Sequence, residues 1–279
     1  MAARLLSPAK INLRLRVLGR RPDGYHEIDT VLQSIDLCDE ITIALSGNAL
    51  RLHAPPHLPM GEGNLCYRAA QAFFARLRRS AQASIWLTKR VPVQAGLGGG
   101  SSNAAAVLLG LNQLHQNPLD IQELTQLAAA VGSDVPFFLT GGTARARGRG
   151  EHIEALPDAR RWWLRIVKPK LGLSTAEVYA LWRPPQCAAD ALADDDLFND
   201  LEQPAQRLMP ALLEFYRLLK SDGAERVLLC GSGSAVCGFY SRPPAGMLPL
   251  GEGHREFIAR TMTRLEYGQA TAVKERELA

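Results

Sequence analysis

Residues 92–112, PVQAGLGGGSSNAAAVLLGLN, constrain the fold of this 279-residue chain more than any other stretch. Four glycines and two serines stand directly before a run of alanine and leucine, which favours a helix. Glycine tolerates positive φ and lets a ligand approach the backbone. The first turn of a helix presents free N–H groups and a positive dipole end, which suit an anion. We predict a phosphate-binding loop here; the alternative is a glycine-rich turn packed under the helix.

The spacing of the glycines excludes two common phosphate-binding loops. No Gly-Lys-Ser or Gly-Lys-Thr follows them, so the loop is not that of the P-loop NTPases. Gly96 and Gly98 are followed by Ser101 where the dinucleotide fingerprint G-x-G-x-x-G requires a third glycine. A dinucleotide-dependent oxidoreductase is therefore disfavoured.

The composition is that of an ordinary globular protein, with 47% hydrophobic residues, 22% charged residues and a net charge of +4. Basic residues in 13–21 alternate with apolar ones, which indicates a strand with one solvated face rather than a nucleic-acid site. Five scattered cysteines without a C-x-x-C motif favour a cytoplasmic location over disulfides or zinc. We expect no signal peptide, because Lys10 interrupts the apolar core that one needs, and no membrane span, because polar residues interrupt 91–119.

Strand and helix patterns follow one another without a regular βαβ rhythm, which predicts an α+β fold. Helical spacing predicts helices over 65–77 (behind Asn64 as N-cap), 102–114, 121–131, 205–220 and 254–265. Strand patterns cover 12–18, 30–35, 40–45, 84–91, 162–169 and 270–273, and 226–240 has the pattern strand, glycine turn, strand. Residues 183–196 are rich in Pro and Asp and indicate an irregular crossing.

Three motifs occur in order along the chain: SPAKINLRL (7–15), PVQAGLGGGSSNAA (92–105) and LLCGSGSAVCG (228–238). Together they resemble the three motifs of the GHMP kinases. PDGYHE (22–27), GLGGGSSNAA and GSDVPFF (132–138) resemble the branch of that family that phosphorylates a cytidine-diphosphate-linked methylerythritol. The resemblance implies a two-lobed α+β fold: a ribosomal S5 domain 2-like ATP-binding lobe at 1–150 and a ferredoxin-like lobe at 151–279, with the active site in the cleft between them.

The activity implied by the resemblance is ATP-dependent phosphorylation of the 2-hydroxyl of that cytidyl substrate, in the non-mevalonate isoprenoid pathway, with Mg²⁺ accompanying ATP. Asp134 is the implied general base, although from pattern alone it is equally an N-cap ahead of Val135 and Pro136. Lys10, which by default would be a solvated lysine, is implied to point into the cleft beside Asp134 and stabilise developing negative charge.

The resemblance also implies the binding residues. Those for ATP are Asn64, Lys89, Pro92, Val93, Gln94, Ala95, Gly96, Leu97, Gly98, Gly99, Gly100, Ser101 and Ser102. Those for the acceptor are Asn12, Tyr25, His26, Thr175 and Tyr179, with the two tyrosines stacking on cytosine and His26 bonding its polar edge.

Two positions depart from the common pattern of the family. Gln94 stands where a small residue is frequent, and Asn103 stands where many relatives carry aspartate. Ser101 and Ser102 are therefore the better candidates to reach phosphate or magnesium.

Two other functions are weighed against this one. Another small-alcohol kinase of the family would lack the Tyr25, His26 and Tyr179 set, and a regulatory nucleotide-binding protein would dispense with Lys10 and Asp134.

Overall fold

The computed structural model describes residues 2–45, 48–184 and 197–276. Within them the chain forms twelve strands and eight α-helices. The strands are β1 (Ala2–Arg20), β2 (His26–Ala44), β3 (Leu50–His53), β4 (Ala83–Thr88), β5 (Thr143–Gly148), β6 (His152–Ala155), β7 (Trp163–Lys168), β8 (Phe198–Asn199), β9 (Arg226–Leu229), β10 (Val236–Tyr240), β11 (Arg255–Arg260) and β12 (Lys274–Arg276). The helices are α1 (Leu65–Arg76), α2 (Gly99–Leu114), α3 (Ile121–Val131), α4 (Phe137–Thr140), α5 (Thr175–Leu181), α6 (Glu202–Leu208), α7 (Leu212–Ser221) and α8 (Arg264–Thr271).

The larger sheet is built around the long antiparallel pair β1 and β2. Its strands lie in the order β12-β1-β2-β4-β3, with β5 on β2, β6 on β5 and β8 on β1. Apolar residues at alternate positions of β2 and β4 face α1 and α2, as a strand with one buried face requires. Ile41, Ile85, Phe73 and Leu108 are fully buried there.

Two irregularities in the pairing of β1 with β2 lie within the first motif, on either side of Lys10 and Asn12. The register shifts between Pro8 and Ala9 and again between Asn12 and Arg14. A bulge bends its strand and changes the direction of the side chains beside it. Lys10 and Asn12 lie between the two shifts, two residues apart and therefore on the same face of β1.

The smaller sheet has four antiparallel strands in the order β11-β7-β10-β9. Helix α7 packs against β9 and β10, and Leu219, Val167, Leu229 and Val236 are buried between the layers. The glycine turn between β9 and β10 lies at the end of this sheet that faces the first motif, so the two sheets meet at the glycine-rich loops.

The α+β class is confirmed, and the predicted helix at 121–131 and strand-turn-strand at 226–240 are present. The strands predicted at 30–35 and 40–45 are one strand, because β2 resumes its pairing with β1 at Cys38 after a bulge. The helix predicted at 205–220 is two helices, because Pro210 has no N–H to continue the first.

The helix predicted at 254–265 was wrong. Residues 255–260 form β11, which pairs along β7, and this long-range pairing overrides local propensity. Helix α8 begins only at Arg264, behind a capping box formed by Thr263 and Glu266. The strand predicted at 270–273 lies instead at Lys274–Arg276. Most of the crossing predicted at 183–196 lies outside the described residues.

Strands β6, β8 and β12 all follow residue 150 in the chain yet belong to the larger sheet. The division into units at 1–150 and 151–279 therefore stays a prediction. None of the described helices is long and apolar enough to cross a membrane.

Candidate active site

The loop between β4 and α2 forms one wall of a cavity of about 330 Å³. Asn64 closes another side, with its side chain accepting a hydrogen bond from the Cys66 amide as the N-cap of α1. Of the residues predicted to bind ATP, the structure brings these to the cavity: Asn64, Lys89, Pro92, Val93, Gln94, Ala95, Gly96, Leu97, Gly98, Gly99, Gly100 and Ser101. The predicted helix starts at Gly99, with Gly98 as its N-cap in the left-handed conformation.

Ser102 is the exception among those residues. Its side chain is buried, donates to the Pro8 carbonyl (2.6 Å) and accepts a hydrogen bond from Ser7 (2.7 Å). Ser7 also contacts the buried amide of Asn103 at 2.7 Å. These bonds tie α2 to β1, so the Ser102 hydroxyl does not line the cavity, whereas Ser101 does.

Lys89 is held by a buried carboxylate that the sequence did not single out. Its Nζ donates to Asp39, which is fully buried and also accepts hydrogen bonds from the amides of Arg90 (2.7 Å) and Val91 (2.8 Å). Asp39 thus fixes both the ammonium group and the backbone that leads into the glycine loop. Nothing in the sequence distinguishes it from the other carboxylates of β2, which are Glu27, Asp29, Asp36 and Glu40.

The backbone at Gly96 is packed so closely that no side chain fits there. It has φ +73°, and a Cβ placed on it would lie 1.7 Å from the Cys230 carbonyl oxygen. The glycine loop is therefore seated directly on the turn between β9 and β10, which is the third sequence motif. Gln94, at φ +50°, is anchored to the same turn because its carbonyl accepts a hydrogen bond from the Ser234 amide (3.2 Å).

A second cavity, of about 1290 Å³, lies on the other side of the glycine loop. Lys10, Asn12 and Asp134 meet at its base. The Lys10 Nζ is buried, donates to Asn12 Oδ1 (2.8 Å) and lies 3.8 Å from Asp134 Oδ2. The side chain of Asp134 is 39% exposed, so a carboxylate open to the cavity stands beside a buried cation.

The alternative role of Asp134 as an N-cap is wrong. The N-cap position of α4 belongs to Pro136, and no side chain caps that helix.

The backbone of two glycines packs against Lys10 and Asp134. A Cβ on Gly150 would lie 3.4 Å from Asp134 Oδ1, and one on Gly231 would lie 3.3 Å from the Lys10 Nζ. The sequence analysis gave Gly150 no role and placed Gly231 only within the third motif, because each acts through a contact with a residue distant in sequence.

Aromatic side chains line the far end of the larger cavity. Tyr25 is 55% exposed, and the His26 ring lies 5.0 Å from that of Tyr179 and edge-on to Trp182 at 6.0 Å. Burial, with a smaller contribution from the Arg20 cation, lowers the pKa of His26, so its ring is neutral at pH 7. Burial and the nearby Asp134 raise the pKa of Tyr179, which stays a phenol.

Two further contacts complete this end of the cavity. Thr175, at the start of α5, lies 2.8 Å from Ser232, so the two hydroxyls join α5 to the third motif. Trp182 is buried behind His26 and was missed by the sequence analysis, because nothing in its neighbourhood distinguishes it from a core residue. Among the described residues no three His, Cys, Asp or Glu side chains gather into a metal site.

The two cavities share Gly96 and Gly98, so the glycine loop is a common wall between them. One cavity is lined by backbone N–H groups at a helix N-terminus, and the other holds a carboxylate and an ammonium group. This is the arrangement that a phosphoryl donor and its acceptor need on either side of a transfer site.

Known proteins resemble this chain in sequence and in fold. A family model described as the GHMP kinases N terminal domain matches residues 64–142. The 4-diphosphocytidyl-2-C-methyl-D-erythritol kinase of Moorella thermoacetica is 42% identical over 248 residues, which cover 82% of this chain and 87% of the relative. The chain belongs to the GHMP kinases. Within them it belongs to the 4-diphosphocytidyl-2-C-methyl-D-erythritol kinase family.

Solved structures of GHMP kinases agree with this assignment. A crystal structure of 4-(cytidine 5'-diphospho)-2C-methyl-D-erythritol kinase superimposes with a TM-score of 0.76 at 35% identity, covering 92% of this chain and 98% of that one. A homoserine kinase from Cytophaga hutchinsonii superimposes with a TM-score of 0.70 at 16% identity, over 94% of this chain and 95% of its own. The second likeness shows the fold alone.

Proposed function

We propose that this protein transfers the γ-phosphoryl group of ATP to the 2-hydroxyl of 4-diphosphocytidyl-2-C-methyl-D-erythritol, in the non-mevalonate route to isoprenoid precursors. One observation carries the proposal: Lys10 and Asp134 lie 3.8 Å apart in a large cavity that shares its glycine wall with a second cavity at a helix N-terminus. The relatives at about 40% identity bear the name of this kinase.

ATP, as its Mg²⁺ complex, is assigned to the smaller cavity. Its phosphates would lie against the amides of the loop before α2, where the helix dipole favours an anion. Asn64 and Lys89 line the same cavity and are proposed to contact the rest of the nucleotide. Mg²⁺ keeps most of its ligands among phosphates and waters, so it needs no protein cage. The Ser101 hydroxyl, at the loop end of the cavity, is the protein oxygen we propose beside it.

The acceptor is assigned to the larger cavity. Phosphoryl transfer depends on positioning and on stabilising charge that spreads over the phosphoryl oxygens. Asp134, exposed to the cavity, would accept the proton of the attacking hydroxyl, and Lys10 would stabilise the negative charge that develops beside it. Asn12 holds the ammonium group in place through its Oδ1, while its own amide donates to Thr30 (2.8 Å).

Cytosine is assigned to the aromatic end of this cavity. Stacking requires flat faces, and a polar edge requires matched hydrogen bonds. Tyr25 and Tyr179 would supply the faces, and a neutral His26 offers one donor and one acceptor. Thr175 lies at the same end and is proposed to contact the acceptor through its hydroxyl.

The direct test is an assay of ADP release with four acceptors: the cytidyl methylerythritol, mevalonate, homoserine and galactose. We expect turnover with the cytidyl substrate and a kcat/KM at least about 10³-fold lower with the others, because they leave the aromatic end empty and the polar edge of His26 unpaired. Comparable activity with any of the other three acceptors would contradict the proposal. Phosphorus NMR of the product identifies the hydroxyl that has been phosphorylated.

A glycine substitution tests the assignment of ATP. Gly98 is unsuitable, because it has φ +68° and a Cβ there would lie 2.8 Å from Phe138. Gly100 has an ordinary φ, and a Cβ there meets only Leu65 at 3.7 Å. We expect Gly100→Ala to weaken ATP binding about tenfold by obstructing a charge-assisted hydrogen bond, while the Tm does not fall, since Ala favours helices over Gly.

Gly268→Ala is the matched control for this substitution. Gly268 is exposed on α8, away from both cavities, and a Cβ there meets nothing within 4 Å. Calorimetric titration with ATP should give the wild-type affinity for the control. An unchanged affinity in a folded Gly100→Ala variant would remove the loop from the nucleotide site.

A further inference from the structure

Asn199 is a buried polar residue that has no role in the function proposed so far. It ends β8, the short strand that pairs in parallel with β1, and it lies opposite Leu15 in that pairing. Only 6% of Asn199 is exposed, and it lies outside the lining of both cavities. Lys10 and Asn12 stand just before Leu15 on β1. Strand β8 is therefore attached to the strand that carries both of these site residues.

The side-chain amide of Asn199 binds the turn between β9 and β10, which belong to the smaller sheet. Its Nδ2 donates to the carbonyls of Leu229 (2.9 Å) and Gly231 (2.7 Å). Its Oδ1 accepts a hydrogen bond from the Leu201 amide (2.9 Å). These bonds fix the orientation of the side chain, because both amide hydrogens and the oxygen are used. The side chain thus holds the turn on either side of Cys230.

The backbone next to Asn199 is tied to β1 by the following residue. The Asp200 amide donates to the Leu15 carbonyl (2.9 Å), and its carboxylate accepts a hydrogen bond from the Val17 amide (2.9 Å). The backbone of this segment is thus bonded to the larger sheet, while the side chain of Asn199 is bonded to the smaller one. Asn199 connects β1 with the turn through the interior of the protein.

The turn that Asn199 holds forms part of the wall around the Lys10 ammonium group. A Cβ placed on Gly231 would lie 3.3 Å from Lys10 Nζ and 3.4 Å from Asn12 Oδ1. It would also lie 3.0 Å from the carbonyl oxygen of Gly96, so the same turn supports the glycine loop. The position of the ammonium group therefore depends on the position of the turn.

We propose that Asn199 is a positioning residue for phosphoryl transfer. It links β1 to the turn between β9 and β10, and through Gly231 it keeps the Lys10 ammonium group in place beside Asp134. The inference rests on the proposed function, in which Lys10 acts on the transfer step. Because a misplacement of about 1 Å can lower a rate by about 10²-fold, loss of this link lowers kcat more than it raises KM.

The test replaces Asn199 with Asp, which keeps the shape of the side chain and its acceptor but sets a carboxylate oxygen against two carbonyl oxygens. We expect kcat to fall by about 10–10²-fold, while the KM values for ATP and for the cytidyl acceptor change less. ADP release is measured over a range of both substrates, at a temperature below the Tm of the variant. Asn199→Ala buries no charge, so it carries the same comparison if Asn199→Asp does not fold.

Asn112→Asp and Asn112→Ala are the matched controls. Asn112 lies on α2, is 5% exposed and stands outside both cavities. Its amide donates to the Leu119 carbonyl (3.0 Å) and accepts from the Leu119 amide (3.1 Å), so the same substitutions break bonds of the same kind. We expect these controls to have a lower Tm and the wild-type kcat.

Three results would overturn the positioning role of Asn199. They are a wild-type kcat in a folded Asn199 variant, a rise in KM alone, and an equal fall of kcat in the Asn112 controls. Absence of turnover of the cytidyl substrate by wild-type protein would instead overturn the proposed function, and the inference with it.

Discussion

Replacement of Asp134 with Asn is expected to lower kcat by about 10²–10⁴-fold, the usual contribution of a general base. The amide keeps the size of the side chain but cannot accept the hydroxyl proton. Because the side chain is open to the cavity and caps no helix, the fold should not depend on its charge. The KM for the cytidyl acceptor and the Tm should change little.

Asp120→Asn is the control for the same chemical change. Asp120 is the N-cap of α3, where Asn caps about as well as Asp, and it lies outside both cavities. Its turnover should match wild type. If Asp134→Asn retained more than half of the wild-type kcat, Asp134 would orient the acceptor at most, and the proton would leave by another route.

Lys10→Met is expected to lower kcat by about 10²–10³-fold, the effect of removing one group that stabilises developing charge. Methionine fills much of the same volume, so the buried site between Gly98 and Gly231 stays packed. ATP affinity should fall less than turnover, since the ammonium group lies in the acceptor cavity beside Asp134.

Single-turnover kinetics separate the effect on phosphoryl transfer from the effect on ATP affinity. Lys220→Met provides the control. Lys220 lies in the last turn of α7 and is exposed, and among the described residues its ammonium group contacts only the backbone carbonyl of Glu225. We expect the Lys220→Met variant to turn over at the wild-type rate. A Lys10→Met variant with normal turnover and weakened ATP binding would move Lys10 from the transfer step to the nucleotide.

The sequence predicted those parts of the site whose chemistry is carried by neighbouring residues. The glycine loop, the N-cap at Asn64 and the motif around Lys10 are local patterns, and the structure brings nearly all of their residues to the two cavities. Ser102 failed this expectation because the helix turns it towards β1. Neighbouring positions on a helix face different directions, which a motif alone does not reveal.

The site residues that the sequence analysis missed contact partners that are far away in the chain. Asp39 reaches Lys89 across 50 residues, and Gly231 packs beside Lys10 across the meeting of the two sheets. The misassigned helix at 254–265 has the same cause, since β11 exists through its pairing with β7. Local propensity carries no information about partners that only the folded chain brings together.

Under the proposed function, the wall that the two cavities share would couple the binding of donor and acceptor. Gly96 and Gly98 border both, and the backbone of Gly96 packs against Cys230. A ligand that restricts the motion of this loop from one side spares the second ligand part of that entropic cost. Reciprocity then requires each substrate to raise the affinity for the other by the same factor. Under the proposed function we therefore expect positive cooperativity between the substrates, across a partition only a few glycines thick.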